Sequence, residues 1–167
     1  MNTLTLVRHA KSSWNDSTLG DRDRPLNKRG ARDAPVMGKR ILEAGIRPSL
    51  ILSSPAVRAW TTAKIIAQEI GYPIEFLQRE SDLYLASLDT LLDVVAAQQS
   101  EFKHVMIVSH NPGITDLANY ISPCLTSNLP TAGVVSVSFE RDDWDLHERP
   151  ASKLLVYDYP KKNAAVV

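Results

Sequence analysis

Short runs of branched apolar residues alternate with helix-like stretches along the first two thirds of the chain, and no other feature constrains the fold as much. The runs are Leu4–Val7, Leu50–Leu52, Ile74–Phe76 and Val105–Val108. Strands separated by helices are joined by crossovers, so they lie parallel. Val105-Met106-Ile107-Val108 carries no polar residue, as expected of a strand buried on both faces. Between the runs, Asn27 is placed to cap a helix running toward Glu43, with Gly45 just past its end. Pro35 lies inside that pattern and predicts a kink or a later start. Ala56–Ile70 has helical spacing and stops at Gly71, Asp89–Gln98 forms a third helix, and Asp116–Ile121 ends a fourth near Pro123. Two further runs, Val134–Phe139 and Lys153–Tyr157, have no helix between them. They predict an antiparallel pair at one edge, joined by an exposed loop over Arg141–Pro150. The expected fold class is α/β: a three-layer α/β/α sandwich with a mostly parallel central sheet and an antiparallel edge, in a single domain over residues 1–167.

Nineteen Lys and Arg residues balance nineteen Asp and Glu, so no overall field favours nucleic acid or a membrane surface. A local basic pocket would suit a compact anion instead. Cys124 is the only cysteine, which rules out an intrachain disulfide and fits a reducing compartment. The N-terminal apolar run reaches Arg8 too soon for a signal peptide, and no stretch approaches the ~20 apolar residues of a membrane span. The expected location is the cytoplasm.

Polar residues follow the apolar runs in a repeated way. Arg8-His9 follows the first, Ser53-Ser54-Pro55 and then Arg58 follow the second, and Ser109-His110-Asn111-Pro112-Gly113 follows the fourth. Ligands of open parallel sheets bind beyond the carboxyl ends of the strands, where such loops converge. Two arginines and two histidines are thereby delivered to one place. Arginine stays charged and matches phosphate oxygens with a planar fork of donors. A neutral imidazole can attack phosphorus and carry it as phosphohistidine. A helix starting after Ser54-Pro55 adds amide donors, and Asn111 could add a backbone amide at the next helix start. Taken singly, each feature has an ordinary explanation: His110 as a cap or core histidine, Ser53-Ser54-Pro55 as a helix start, Arg58 as an exposed first-turn residue. The combination at three strand ends is not so easily dismissed.

Leu6-Val7-Arg8-His9-Ala10-Lys11-Ser12, Ser53-Ser54-Pro55-Ala56-Val57-Arg58-Ala59 with Thr62-Ala63, and His110-Asn111-Pro112-Gly113 resemble the histidine phosphatase superfamily, which is phosphoglycerate-mutase-like in fold. Asp23-Arg24-Pro25-Leu26-Asn27 with Arg29-Gly30 is similar to its small bacterial phosphohistidine phosphatase branch. The resemblance runs from the first strand to about Pro123. It implies that His9 takes the phosphoryl group while Arg8, Arg58 and His110 hold its oxygens, with Arg24 and Asn111 as further binding residues. Ala10, Thr61 and Ser109 depart from the glycine, glutamine and glycine usual in larger relatives.

Larger relatives carry an acidic proton donor in an insertion after the third strand. Here Leu77–Lys103 is short, and Glu80 and Asp82 are its only early carboxylates; Asp82 is the first candidate for the general acid. A weak acid favours a leaving group that departs already protonated, such as the imidazole of phosphohistidine on a protein. The expected partners are a phosphorylated protein or, failing that, a small phosphorylated metabolite, with inorganic phosphate as product. Two other readings stay open: a small-molecule phosphatase or mutase, and a non-catalytic phosphoprotein-binding module. His104 and His147 lack partners at metal-ligand spacing and Cys124 lacks a second cysteine, so no metal and no other cofactor is expected.

Overall fold

The computed structural model describes residues 1–162; of the domain expected over 1–167, residues 163–167 lie outside the described residues. Six strands, β1 (Asn2–Arg8), β2 (Leu50–Ser53), β3 (Gln78–Arg79), β4 (His104–Ser109), β5 (Val134–Phe139) and β6 (Ser152–Asp158), form one sheet in the order β3-β2-β4-β1-β5-β6. The first four lie parallel, β4 pairing β1 from Thr3↔His104 to Arg8↔Ser109 and β2 from Leu50↔Val105 to Ser53↔Val108. β5 runs antiparallel to β1, and β6 antiparallel to β5. The uninterrupted apolar run therefore occupies a central strand, as its composition requires.

Side-chain alternation along the strands divides two cores. Leu4, Leu6, Leu50, Leu52, Val105, Ile107, Val135 and Val137 face α3 (Leu88–Ala96) and α4 (Gly113–Ile121). Val7, Ile51, Met106, Val108 and Val134 face α1 (Lys28–Glu43) and α2 (Val57–Ile70). The expected α/β/α sandwich is what forms. Because β1, β2 and β4 are parallel and adjacent, their carboxyl ends open on the same edge of the sheet. No helix among the described residues is long and apolar enough to cross a membrane.

Three local expectations change. Ile74–Phe76 is a 3-10 turn instead of a strand, and the third strand is only Gln78–Arg79. Its backbone bonds are local, Phe76 N–H to the Pro73 carbonyl and Leu77 N–H to the Ile74 carbonyl, while Ile74 and Leu77 cover the edge of the second core. α1 starts at Lys28 despite Pro35, because Asn27 Oδ1 accepts from Gly30 N–H at 2.8 Å. The missing proline donor would have bonded the carbonyl of Ala31, which is exposed to water. α4 begins at Gly113, at the helix start expected beside Asn111. The segment over Arg141–Pro150 is anchored, not simply exposed. Trp144 and Leu146 are buried in the first core, and Trp144 Nε1 donates to the Phe102 carbonyl at 2.8 Å.

Candidate active site

At the carboxyl edge of β1, β2 and β4 a cavity of about 280 Å³ gathers Arg8, His9, Arg24, Arg58, His110 and Asn111. Lys11, Ser12, Trp14, Asp21, Leu85 and Thr131 complete its wall. A larger hollow of about 670 Å³ lies beside Pro48–Leu50 and Tyr72–Gln78, at the opposite end of β2, but no histidine lines it. The smaller cavity holds the chemistry.

His9 follows the last residue of β1 and is 8% exposed. Its Nδ1 lies 2.7 Å from the Ala10 carbonyl oxygen. A carbonyl only accepts, so Nδ1 carries the hydrogen and Nε2 keeps its lone pair. Burial lowers the His9 pKa to about 4; the Ala10 hydrogen bond opposes that shift, and Arg58, Arg8 and Arg24 add to it. At neutral pH the ring is uncharged. Thr62 braces this turn, its Oγ1 accepting from Ala10 N–H at 3.0 Å and donating to the Arg58 carbonyl at 2.7 Å.

The surrounding cations are held at one end and left unpaired at the other. Arg8 Nη1 donates to the Leu129 carbonyl at 3.0 Å. Arg58, from the first turn of α2, donates through Nη1 to the Asp21 carbonyl at 2.6 Å and through Nη2 to Asp21 Oδ2 at 2.9 Å. His110 Nε2 lies 2.7 Å from Ser54 Oγ. Among the described residues, four buried side-chain nitrogen or oxygen atoms lack a hydrogen-bond partner, and three of them are Arg8 Nε, Arg58 Nε and His110 Nδ1. Buried polar atoms are paired almost without exception, so three unpaired nitrogens around one cavity mark a site built for acceptor oxygens.

His110 is likewise uncharged. Burial first, then His9 and Arg58, lower its pKa to about 3, so it carries no positive charge at neutral pH in the free protein. It need not. Ser54 Oγ accepts from Ala56 N–H at 3.2 Å, which leaves its hydroxyl hydrogen for His110 Nε2. With the Ser54 hydroxyl donating to Nε2, a neutral ring carries its proton on Nδ1, the unpaired atom, and remains a donor.

Arg24 lies at the wall with its Nη1 on Ser12 Oγ at 2.8 Å and its Nε on Asp21 Oδ1 at 3.2 Å. The Asn111 side chain is committed elsewhere, to Asn128 Oδ1 at 2.8 Å and Thr115 Oγ1 at 2.6 Å, although the residue lines the cavity. Asp82 is not brought to the cavity. It is exposed and lines a separate hollow with Glu80, Thr90 and Asp93. The 3-10 turn Ser81–Leu83 drives Leu83 into the core, which turns Asp82 outward. Of the departures, buried Ala10 fits without contact to solvent, and Ser109 donates to the Leu83 carbonyl at 2.7 Å, pinning the segment beside the cavity. Nothing in the structure explains Thr61.

Sequence reasoning missed Asp21 and Tyr84. Among the described residues Asp21 is the only carboxylate in the cavity lining, and the Tyr84 hydroxyl donates to its Oδ2. That hydrogen bond, with Arg58 and Arg24, lowers the Asp21 pKa to about 2. Tyr84 also stands edge-on to the His110 ring, centroids 5.5 Å apart. The spacing of Asp21 and Arg24 was visible in the sequence as an i,i+3 ion pair, but nothing local linked it to Arg58.

The family model for the histidine phosphatase superfamily (branch 1) matches residues 4–83. This chain is matched by it over a little under half of its length. Its structure is similar to that of the candidate phosphohistidine phosphatase SixA from Agrobacterium tumefaciens, with a TM-score of 0.78, 28% identity, and coverage of 95% of this chain and 98% of that one. An uncharacterised chloroplastic protein of Arabidopsis thaliana is 34% identical over 127 residues, 71% of this chain and 58% of the plant protein. A 2,3-bisphosphoglycerate-dependent phosphoglycerate mutase of Rhizobium rhizogenes is 40% identical over 73 residues, 42% of this chain and 35% of the mutase. The chain thus spans little more than half of the first of these two relatives and about a third of the second.

Proposed function

We propose that this phosphatase hydrolyses phosphohistidine on a protein, in two steps and without a metal, with His9 as nucleophile. The observation that carries the reading is the trio of unpaired buried donors, Arg8 Nε, Arg58 Nε and His110 Nδ1, around a histidine whose Nε2 lone pair is free. In the first step Nε2 attacks phosphorus and the bond to the leaving group breaks. In the second, water attacks phosphorus, the electron pair returns to Nε2, and both water hydrogens leave on dihydrogen phosphate before it ionises. The guanidiniums, with Arg24 at the wall, supply the positive charge that stabilises the equatorial oxygens. Asn111 contributes through its backbone, since its side chain is occupied.

The substrate class follows from the acid. An alkoxide leaving from a monoester needs a proton in the transition state, typically worth about 10²–10⁴-fold when a group is placed to give it. Among the described residues the one carboxylate in the cavity is Asp21, and it is held ionised by Tyr84, Arg58 and Arg24. A phosphohistidine ring protonated on its other nitrogen leaves as neutral imidazole and needs no such donor. The likeness to the Agrobacterium SixA supports the same substrate, and the lone cysteine Cys124 suits a cytoplasmic setting. A second reading, a small-molecule phosphomonoesterase, is favoured by the similarity to the phosphoglycerate mutase.

Brief mixing with a phosphohistidine protein labelled on phosphorus tests the proposal. Label is expected on His9, stable to alkali and lost in acid, and His9→Ala is expected to abolish both label and turnover while still binding the phosphoprotein. Faster turnover of sugar phosphates with no cleavage of phosphohistidine would establish the second reading instead.

A further inference from the structure

Displacement at phosphorus runs in line, so the leaving group departs on the side opposite the attacking nitrogen. His9, Arg58 and His110 form the floor of the cavity, at 8%, 2% and 2% exposure. The leaving group therefore projects toward the mouth. Among the described residues only two large apolar side chains line the cavity, and both stand open to solvent: Trp14 at 74% exposure and Leu85 at 55%.

Neither is placed by the needs of the core. The Trp14 ring has the Arg24 guanidinium over it at 3.5 Å from the ring centroid, and Arg24 is itself tied to Ser12, Ser13 and Asp21. Leu85 has a φ of 49°, in the left-handed region that a side chain of this size rarely adopts. Its flanks hold it there. Ser109 Oγ bonds the Leu83 carbonyl, the Tyr84 hydroxyl bonds Asp21, and the Ala86 carbonyl abuts Gly113 so closely that a Cβ on Gly113 would come within 1.9 Å of it. An exposed leucine on strained backbone beside a charged cavity serves stability poorly, and strain of this kind gathers at working sites.

We infer that Trp14 and Leu85 form a subsite for a flat, partly apolar leaving group, bracketing the imidazole ring of the substrate's phosphohistidine; this rests on the function proposed above. A ring nitrogen loses its bond to phosphorus and takes the electron pair, phosphorus bonds His9 Nε2, and the ring keeps its proton on the other nitrogen. The departing ring is neutral, so stacking against an indole that already faces Arg24 meets no charge repulsion.

Two donors with the same P–N bond separate ring recognition from phosphoryl recognition: N-phosphoimidazole and phosphoramidate, which has no ring. The ratio of their kcat/KM values is expected to fall about five- to tenfold in Trp14→Ala, the scale of one aromatic contact. In Leu85→Gly it is expected to fall about two- to threefold, with no fall in Tm because glycine accepts this backbone freely. Trp14→Phe should retain most of the ratio. A ratio within twofold of wild type in Trp14→Ala, including the case where both donors lose equally, overturns the subsite and leaves Trp14 as a support for Arg24. If the wild-type enzyme cleaves neither P–N donor, it is the phosphohistidine reading that fails. The subsite is then tested by p-nitrophenyl phosphate against acetyl phosphate, where the same selective loss upholds it and its absence overturns it.

Discussion

Gly30→Ala is a sharp test of how the fold holds the turn that carries His9. Gly30 lies in the first turn of α1, and a Cβ built there would stand 2.1 Å from the Lys11 carbonyl oxygen and 2.9 Å from the Lys11 nitrogen. Non-bonded atoms settle at about 3.5–4.0 Å, so the Lys11 carbonyl would have to retreat by more than about 1 Å. That carbonyl accepts from Asn27 N–H at 3.0 Å, and Lys11 lies two residues beyond His9 in the cavity wall. Two effects compete. Alanine improves helix propensity by about 1 kcal/mol, while overpacking costs about 1–3 kcal/mol and the weakened hydrogen bond about 1 kcal/mol more. The steric terms win, and a net loss of about 1–3 kcal/mol corresponds to a Tm lower by roughly 3–10 °C for a chain of this length. Activity should suffer more than stability, because a 1 Å misplacement near the reacting atoms costs about 10²-fold. Thermal unfolding and kcat/KM on phosphoramidate measure both, with Gly20→Ala as control, since nothing lies within 4 Å of a Cβ there. A Gly30→Ala protein with wild-type Tm and kcat/KM within twofold would refute the close approach and the reasoning built on it.

Asp21→Asn removes the charge that fixes Arg58 and Arg24, and kcat/KM is expected to fall about tenfold or more, with weaker inhibition by inorganic phosphate; an unchanged inhibition constant would show that Asp21 does not orient them. Asp82→Asn should stay within twofold of wild type on every substrate, because the residue lines a different hollow; a large fall in turnover of alkyl phosphates alone would restore it as an acid. For pH, the His9 and His110 pKa values, lowered to about 4 and about 3, mean that on the proposed mechanism His9 stays neutral and kcat/KM holds well below pH 6.5, falling only as pH approaches 4. The stability consequence has a definite sign. Between pH 6.5 and about 4 the unfolded chain binds protons that folded His9, His110 and His104, the last also lowered to about 4 by burial, refuse, so the contribution of these rings to stability declines with acidification over that window and, for His110, down to about 3. Urea titrations at pH 7 and pH 5 should show it, and equal midpoints would contradict the buried, neutral state of these rings.

Much of the site was legible because strand-end placement is a local signal. Arg8, His9, Arg58 and His110 each follow an apolar run, and a parallel sheet brings such ends together whatever the loops do. Asp82 misled because nearness in sequence was taken for nearness in space; the turn that buries Leu83 points Asp82 away. Ile74–Phe76 misled because a short apolar run reads alike as strand or as turn, and Pro73 with local backbone bonds decided for the turn. Trp144 and Leu146, inside a charged connection, showed no periodicity to announce their burial.

By itself, then, the sequence determined the layer architecture and the identity of the residues gathered at the sheet edge, since hydrophobic period and strand termini are properties of neighbouring residues. Only the tertiary structure decided which atoms of those residues are free. Asp21 meets Arg58 across 37 residues and Tyr84 across 63, and burial sets the protonation of His9 and His110. These depend on which loops meet at the sheet edge and how much water they exclude, and no local pattern encodes either.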